Sequence, residues 1–213
     1  MTGKIITVSQ QKGGSGKTTL AAHLAVAFSR PDAPVAVLDV DPQGSLGQWF
    51  EMREQTLGEA KTGLVFRTAS GWGARREARS LVRDHHLVVI DTPPKSDLET
   101  RPAIEAADLV AVPIQPTHID LWAVDPTLAM IAKEGSRSIL VANRVVRRAA
   151  LTAQVLAAVQ RLGHLVAEAQ LGNRVAFPAS MGQGRAVGET QPGSSGALEV
   201  EALASEVARH IGR

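Results

Sequence analysis

Apolar residues in this chain gather into short unbroken runs instead of alternating with polar ones. Runs at 5–8, 35–38, 64–66, 87–90, 109–112 and 139–142, with a weaker one at 165–167, are rich in Val, Ile and Leu. A strand that is apolar on both faces is buried on both, the pattern of a parallel sheet covered by helices. Between the runs, apolar spacings of three and four mark helices at 18–28, 46–56, 74–84, 119–133, 151–162 and 197–211. This alternation predicts an α/β fold with a doubly wound, mostly parallel sheet and helices on both faces. The stretch from Glu189 to Gly196, rich in Gly, Pro and Ser, reads as a flexible loop ahead of the last helix.

A chain of 213 residues with 44% hydrophobic content suits one domain, 1–213, with a continuous core. The absence of cysteine removes disulfides, thiolate metal sites, cysteine nucleophiles and iron–sulfur ligation. No apolar run approaches the roughly 20 residues that span a bilayer, and the chain enters its first strand without a signal-peptide pattern, so a cytoplasmic location is expected. Net charge is only +2, but arginine outnumbers lysine and leaves room for a locally basic face. With 3% aromatic residues and no tyrosine, any nucleic acid would be gripped by its duplex phosphates and not by stacked bases.

The candidate chemistry sits where the apolar runs end. The first run gives way to Gln10-Gln11-Lys12-Gly13-Gly14-Ser15-Gly16-Lys17-Thr18-Thr19. Glycines there let successive backbone N–H groups turn inward around a polyphosphate, and the following helix aims its positive end at the same anion. Lys17 would neutralise the terminal phosphates, and the Thr18 hydroxyl would ligate Mg²⁺. The strict phosphate-loop pattern wants glycine at position 11, where this chain has Gln11. The second run leads into Asp39-Val40-Asp41-Pro42-Gln43-Gly44, and the fourth ends in Asp91-Thr92-Pro93-Pro94. Acidic groups at the carboxyl edge of a parallel sheet stand where open α/β folds bind ligands, and Asp91 would hold a Mg²⁺-bound water.

The motif Lys12-Gly13-Gly14-Ser15-Gly16-Lys17-Thr18-Thr19 is the deviant Walker A form, and on it the chain resembles the ParA/MinD family of ATPases. The resemblance runs from Ile5 to about Val187 and implies ATP and Mg²⁺ as ligands. It implies that Lys12 reaches across an ATP-bridged homodimer to the partner's phosphates, and that Asp41 places the attacking water near the metal. Asp39 could share the orientation of Asp41 by strand alternation, but the motif falls on Asp41. Asn143 resembles the adenine-recognising asparagine of the family, and Pro178 belongs to a segment like the one that packs over the base. The stretch 112–117 with Asp120-Leu121-Trp122 resembles the dimer interface, though ordinary core packing is an equal reading of Trp122.

The resemblance further implies nonspecific duplex DNA binding by the ATP dimer, a nucleoid-associated location, and slow hydrolysis stimulated by a ParB-like or ParG-like partner. Arg144, Arg147, Arg148, Arg174 and Arg185 are the candidate phosphate contacts, with a merely solvated basic face as the alternative. Two departures matter. The sequence enters its first strand within a few residues, so the sequence-specific DNA binding of longer family members is not expected, and its last helix carries Glu199, Glu201 and Glu206, where a helix lying on anionic lipid wants Lys and Arg. No membrane contact is therefore expected, and the missing cysteines set the chain apart from the nitrogenase iron proteins that share the loop. The expectation is an ATPase that segregates or positions a plasmid, chromosome or protein cargo. A metabolic or metal-maturation ATPase or ligase on the same scaffold is the alternative.

Overall fold

Six strands form one all-parallel sheet in a computed structural model that describes residues 3–94, 97–146, 150–161 and 163–213. They are β1 (Lys4–Val8), β2 (Val35–Asp39), β3 (Leu64–Thr68), β4 (Leu87–Asp91), β5 (Leu109–Ile114) and β6 (Ser138–Ala142), in the spatial order β3-β2-β4-β1-β5-β6. Helices α1 (Lys17–Phe28), α2 (Ser45–Leu57), α3 (Ala74–Leu81), α4 (Asp97–Ala106), α5 (His118–Lys133) and α6 (Ala150–Arg161) connect and follow the strands. The chain ends with α7 (Ala176–Met181), α8 (Val187–Thr190) and α9 (Ser195–His210).

Strand alternation sends neighbouring residues to opposite layers, which is why the apolar runs are continuous. Val35 and Val37 pack with Leu20 and Leu24 of α1, Trp49 of α2 and Leu203 of α9. Ala36 and Leu38, one position out of phase, pack with Ala74, Ala78 and Leu81 of α3 on the other face. Val110, Val112 and Leu140 continue that second layer beneath α5 and α6. Because every strand points the same way, the carboxyl ends of β1, β2, β4, β5 and β6 meet at one edge.

The structure departs from the sequence pattern in four places. β5 runs on through Pro113, which pairs with Val141. The N–H of Val110 points toward the β6 side, so the N–H that Pro113 lacks would face β1, beyond the last β1 residue paired with β5. The weak run at 165–167 makes only an isolated bridge, Leu140 to Val166. α4, with Pro102 inside it, carries no clean apolar period and was not anticipated. In place of a flexible loop at 189–196, Glu189 and Thr190 close α8, and the Ser194 side chain caps α9 by accepting from Ala197 N–H.

Two of the acidic residues of α9 turn inward, while Glu201 stays exposed. Glu206 is 5% exposed and accepts from the backbone N–H groups of Glu168 and Ala169, while Glu199 accepts from Gly172 N–H. Both carboxylates tie the 168–172 segment to the helix. Among the described residues no helix is long and apolar enough to cross a membrane.

Candidate nucleotide-binding site

The loop between β1 and α1 takes its shape from two glycines. Gly14 and Gly16 have φ of 74° and 94°, angles that cost a side-chain-bearing residue about 1 kcal/mol or more. Gly16 is the N-cap of α1, and a Cβ there would collide with the Asn143 amide. Around Gly13 and Gly14 there is open space, so their backbone N–H groups can be approached closely. Gln115 reinforces the turn by donating to Gly14 C=O at 3.0 Å.

Lys17, Asp41 and Asp91 converge beneath this loop. Burial pushes the Lys17 ammonium below its ordinary value, while the charges of Asp91 and Asp41 hold it up. Asp91 is fully buried, and its Oδ2 accepts from Thr18 Oγ1 at 2.6 Å. Burial pushes its carboxyl up to about 7; the charges of Asp39 and Asp41 add to the shift, and Thr18 and Lys17 oppose it. Among the described residues its Oδ1 has no hydrogen-bond partner. An orphaned carboxylate oxygen beside a threonine hydroxyl is what a hydrated Mg²⁺ would satisfy, and the residues fit that ion.

Asp39 and Asp41 divide their work. Both Asp39 oxygens accept backbone N–H groups, from Asp41 at 3.0 Å and from Gly47 at 3.0 Å, so this aspartate shapes the β2–α2 turn. Asp41 lines the phosphate cavity and accepts from Gln43 N–H. That cavity, of about 550 Å³, is bounded by Gly13, Gly16, Lys17, Thr18, Asp41 and Pro178 among others.

Lys12 at the loop entrance is held within its own chain. Its Nζ lies 2.6 Å from Asp120 Oδ2 in α5, and Asp120 is 1% exposed. Thr117, the N-cap of α5, also donates to that carboxylate. Thr127 Oγ1 binds Gln10 Oε1 and the N–H of Gln11, so α5 grips the entrance at two points. Beside this latch, Ile119 and Trp122 are 64% and 71% exposed, and Trp122 stacks on His118. Trp122 is thus no core residue.

A second cavity, of about 660 Å³, adjoins the first and shares Gly16, Thr19, Arg144 and Pro178 with it. Asn143 lines it and is 9% exposed; its amide donates to Ser15 C=O at 2.8 Å and its carbonyl accepts from Arg144 N–H. One amide proton and one lone pair remain for a ligand. Pro178, in the first turn of α7, lines the same cavity. The wall is braced by Arg174, whose guanidinium forks onto Glu199 at 2.6 and 3.0 Å. On α2, Arg53 does the same for Glu189 and also reaches the carbonyls of Thr62 and Gly184.

The arginines read as phosphate contacts therefore separate. Arg144 is exposed, with φ of 53°. Arg174 has its fork occupied by Glu199, and Arg185 is half-buried. Arg147 and Arg148 lie outside the described residues. The structure brings Ser15, Gly16, Lys17, Thr18, Thr19, Asp41, Asp91, Asn143 and Pro178 around two joined cavities. Sequence reading missed Thr127, the contact of Gln115 with Gly14, the contacts of Glu199 with Gly172 and Arg174, and the pairing of Asp120 with Lys12. Each acts on a partner remote in the chain, and no local spacing marks it.

Comparison with known proteins agrees with this geometry. Residues 6–187 match the family model described as the CobQ/CobB/MinD/ParA nucleotide binding domain. The maintenance of carboxysome distribution protein A of Halothiobacillus neapolitanus is 26% identical over 95% of both chains. The chromosome-partitioning ATPase Soj of Thermus thermophilus is 32% identical over 59% of this chain and 60% of its own. The septum site-determining protein MinD from Pyrococcus horikoshii, solved with Mg-ADP, superposes with a TM-score of 0.82 at 20% identity, over 98% of this chain and 97% of that one. With the deviant phosphate loop and the six-stranded parallel sheet, the chain belongs to the ParA/MinD family of deviant Walker A ATPases.

Proposed function

We propose that this chain is a positioning ATPase of the ParA type, which dimerises around ATP, holds nonspecific duplex DNA in that state and lets go after hydrolysis. The observation that carries the reading is Lys12, which stands at the mouth of the phosphate loop on a latch to Asp120, beside the exposed Ile119 and Trp122. A lysine in that position can serve a second subunit only by exchanging Asp120 for the phosphates of the other copy. The Asp120 latch and the phosphates of the other copy then compete for one ammonium group.

In this reading residues 1–213 act as one ATPase unit. The loop N–H groups and Lys17 bind the phosphates, Thr18 would ligate Mg²⁺, and Asp91 would hold it through water, with Asp41 close by. The bound ion would supply charge that neutralises the phosphates. Asp41 orients the attacking water, and Lys12 from the other subunit adds positive charge as the γ-phosphate leaves. Asn143 reads the adenine edge, Pro178 covers its face, and Thr19 lies between base and phosphates.

The cargo is a plasmid, a chromosome or a protein assembly, with nucleoid DNA in the cytoplasm as the matrix. A ParB-like or ParG-like partner sets the hydrolysis rate. The relative from Halothiobacillus neapolitanus, similar over nearly its whole length, favours a protein assembly as cargo. Arg144 is the exposed candidate for a DNA phosphate, and each phosphate neutralised adds about 0.9 to the logarithmic salt slope.

Duplex DNA binding and molecular mass, measured with ATP, ADP and no nucleotide at two salt concentrations, test the reading. A dimer that binds DNA only with ATP, and more weakly in high salt, is expected. Equal binding in all three states would overturn it.

A further inference from the structure

The most concentrated positive charge among the described residues lies away from both nucleotide cavities, on the outer face of α3. Ala74, Ala78 and Leu81 bury the inner face. Arg75, Arg76 and Arg79 point outward, and Arg83 follows just after the helix. At 100° per residue these four fall within an arc of about 100° and span about 12 Å along the axis. Arg75 pairs with Glu105 of α4. Among the described residues no ion pair is found for Arg76, Arg79 or Arg83, all of which are exposed.

Trp72 stands at the end of this row, on the short turn Gly71–Gly73, and is 83% exposed. It joins Arg75, Arg76, Arg79, Ser80 and Arg83 in lining a concave surface of about 570 Å³. The turn is fixed in place, because Gly71 packs against the backbone of Glu99 in α4 so closely that a Cβ would collide with it. An indole held in water on a rigid turn, beside three unpaired guanidinium groups, has the composition of an interface hot spot.

We propose that this concave face is a docking site for an acidic segment of a partner protein, one that carries carboxylates for the arginines and an apolar side chain for Trp72. A phosphate backbone would use the arginines and leave the indole without a role. The arginine forks bind carboxylates in pairs, and the indole supplies the apolar area that such pairs lack.

The test uses the full chain and three fluorescent probes: a short peptide of Asp and Glu around central Leu and Phe residues, the same peptide with Lys for each acid, and a random-sequence duplex DNA. The acidic peptide is expected to bind wild type at low salt and the basic one not to. Trp72→Ala and the triple variant R76E/R79E/R83E are each expected to weaken the acidic peptide by roughly tenfold or more. Both variants are checked for an unchanged melting temperature and unchanged ATP affinity, and the duplex affinity measured with ATP should not move. No binding of the acidic peptide to wild type would overturn the proposal, as would peptide affinity unaffected by Trp72→Ala. Loss of duplex affinity in the triple variant would identify the face as a nucleic-acid surface instead, and that outcome leaves the ATPase reading untouched.

Discussion

The phosphate end and the base end of the site are built by different means. At the phosphate end the work is done by one continuous segment, 12–19, whose glycine angles and helix start are local properties. The two aspartates that join it, Asp41 and Asp91, both sit just beyond or at the end of a strand in the same parallel sheet. At the base end the wall is assembled from side chains far apart in the chain. Asn143 is tied to Ser15 across 128 positions, and Arg174 to Glu199 across 25. Backbone turns are specified by the residues that make them, whereas a wall of paired side chains is specified by the fold that brings the pairs together.

If the two ends are separable, they fail separately. Lys17→Ala should weaken both ATP and inorganic tripolyphosphate by roughly 100-fold or more, measured by calorimetry with Mg²⁺. Retained tripolyphosphate affinity would remove Lys17 from the phosphate end. Asp41→Ala should leave ATP binding near wild type and slow turnover by roughly 100-fold, giving an ATP-bound dimer visible by light scattering. Wild-type turnover would take Asp41 out of the mechanism.

Glu199→Ala strikes the base end alone. It strands the Arg174 guanidinium and frees Gly172 N–H, and should lower unfolding free energy by about 2–4 kcal/mol. ATP affinity should fall while tripolyphosphate affinity holds; an equal loss of both would mean that the ends are one cooperative unit. The smallest effect concerns His23, which lines the base cavity, donates to Thr19 C=O through Nδ1, and meets Phe177 edge-on. Burial pushes its pKa down from 6.5 to about 4, so it stays neutral in the folded chain through mildly acid solution. Between those values the unfolded chain binds a proton that the folded chain refuses, and stability drops as pH falls through this window. The loss from pH 7 to 5 should be about 1–2 kcal/mol, and His23→Gln should flatten that part of the denaturation profile.

The same division governs what could be read in advance. Six apolar runs became the six strands, with shifts of one or two residues at some ends, because strands buried on both faces must be apolar throughout. The seventh run, equally short, became a single bridge. The apolar run at 109–112 stops short of Pro113, yet β5 passes through that proline since β1 has already stopped pairing on that side. Glu199 and Glu206 had the spacing of a charged outer face, and tertiary packing turned them inward as acceptors for orphan backbone N–H groups.

By itself the sequence determined the parallel α/β layering, the phosphate loop with its paired lysines, and the aspartates at the strand ends. These follow from periodicity and from backbone angles that only glycine takes easily. Tertiary structure alone decided that Lys12 rests on Asp120, that Asn143 leans on Ser15, that Arg174 is spent on Glu199, and that, among the described residues, Arg76, Arg79 and Arg83 stand without an ion pair beside Trp72. Charge pairing depends on distance through space, and one arginine resembles another until the fold sets a carboxylate beside it.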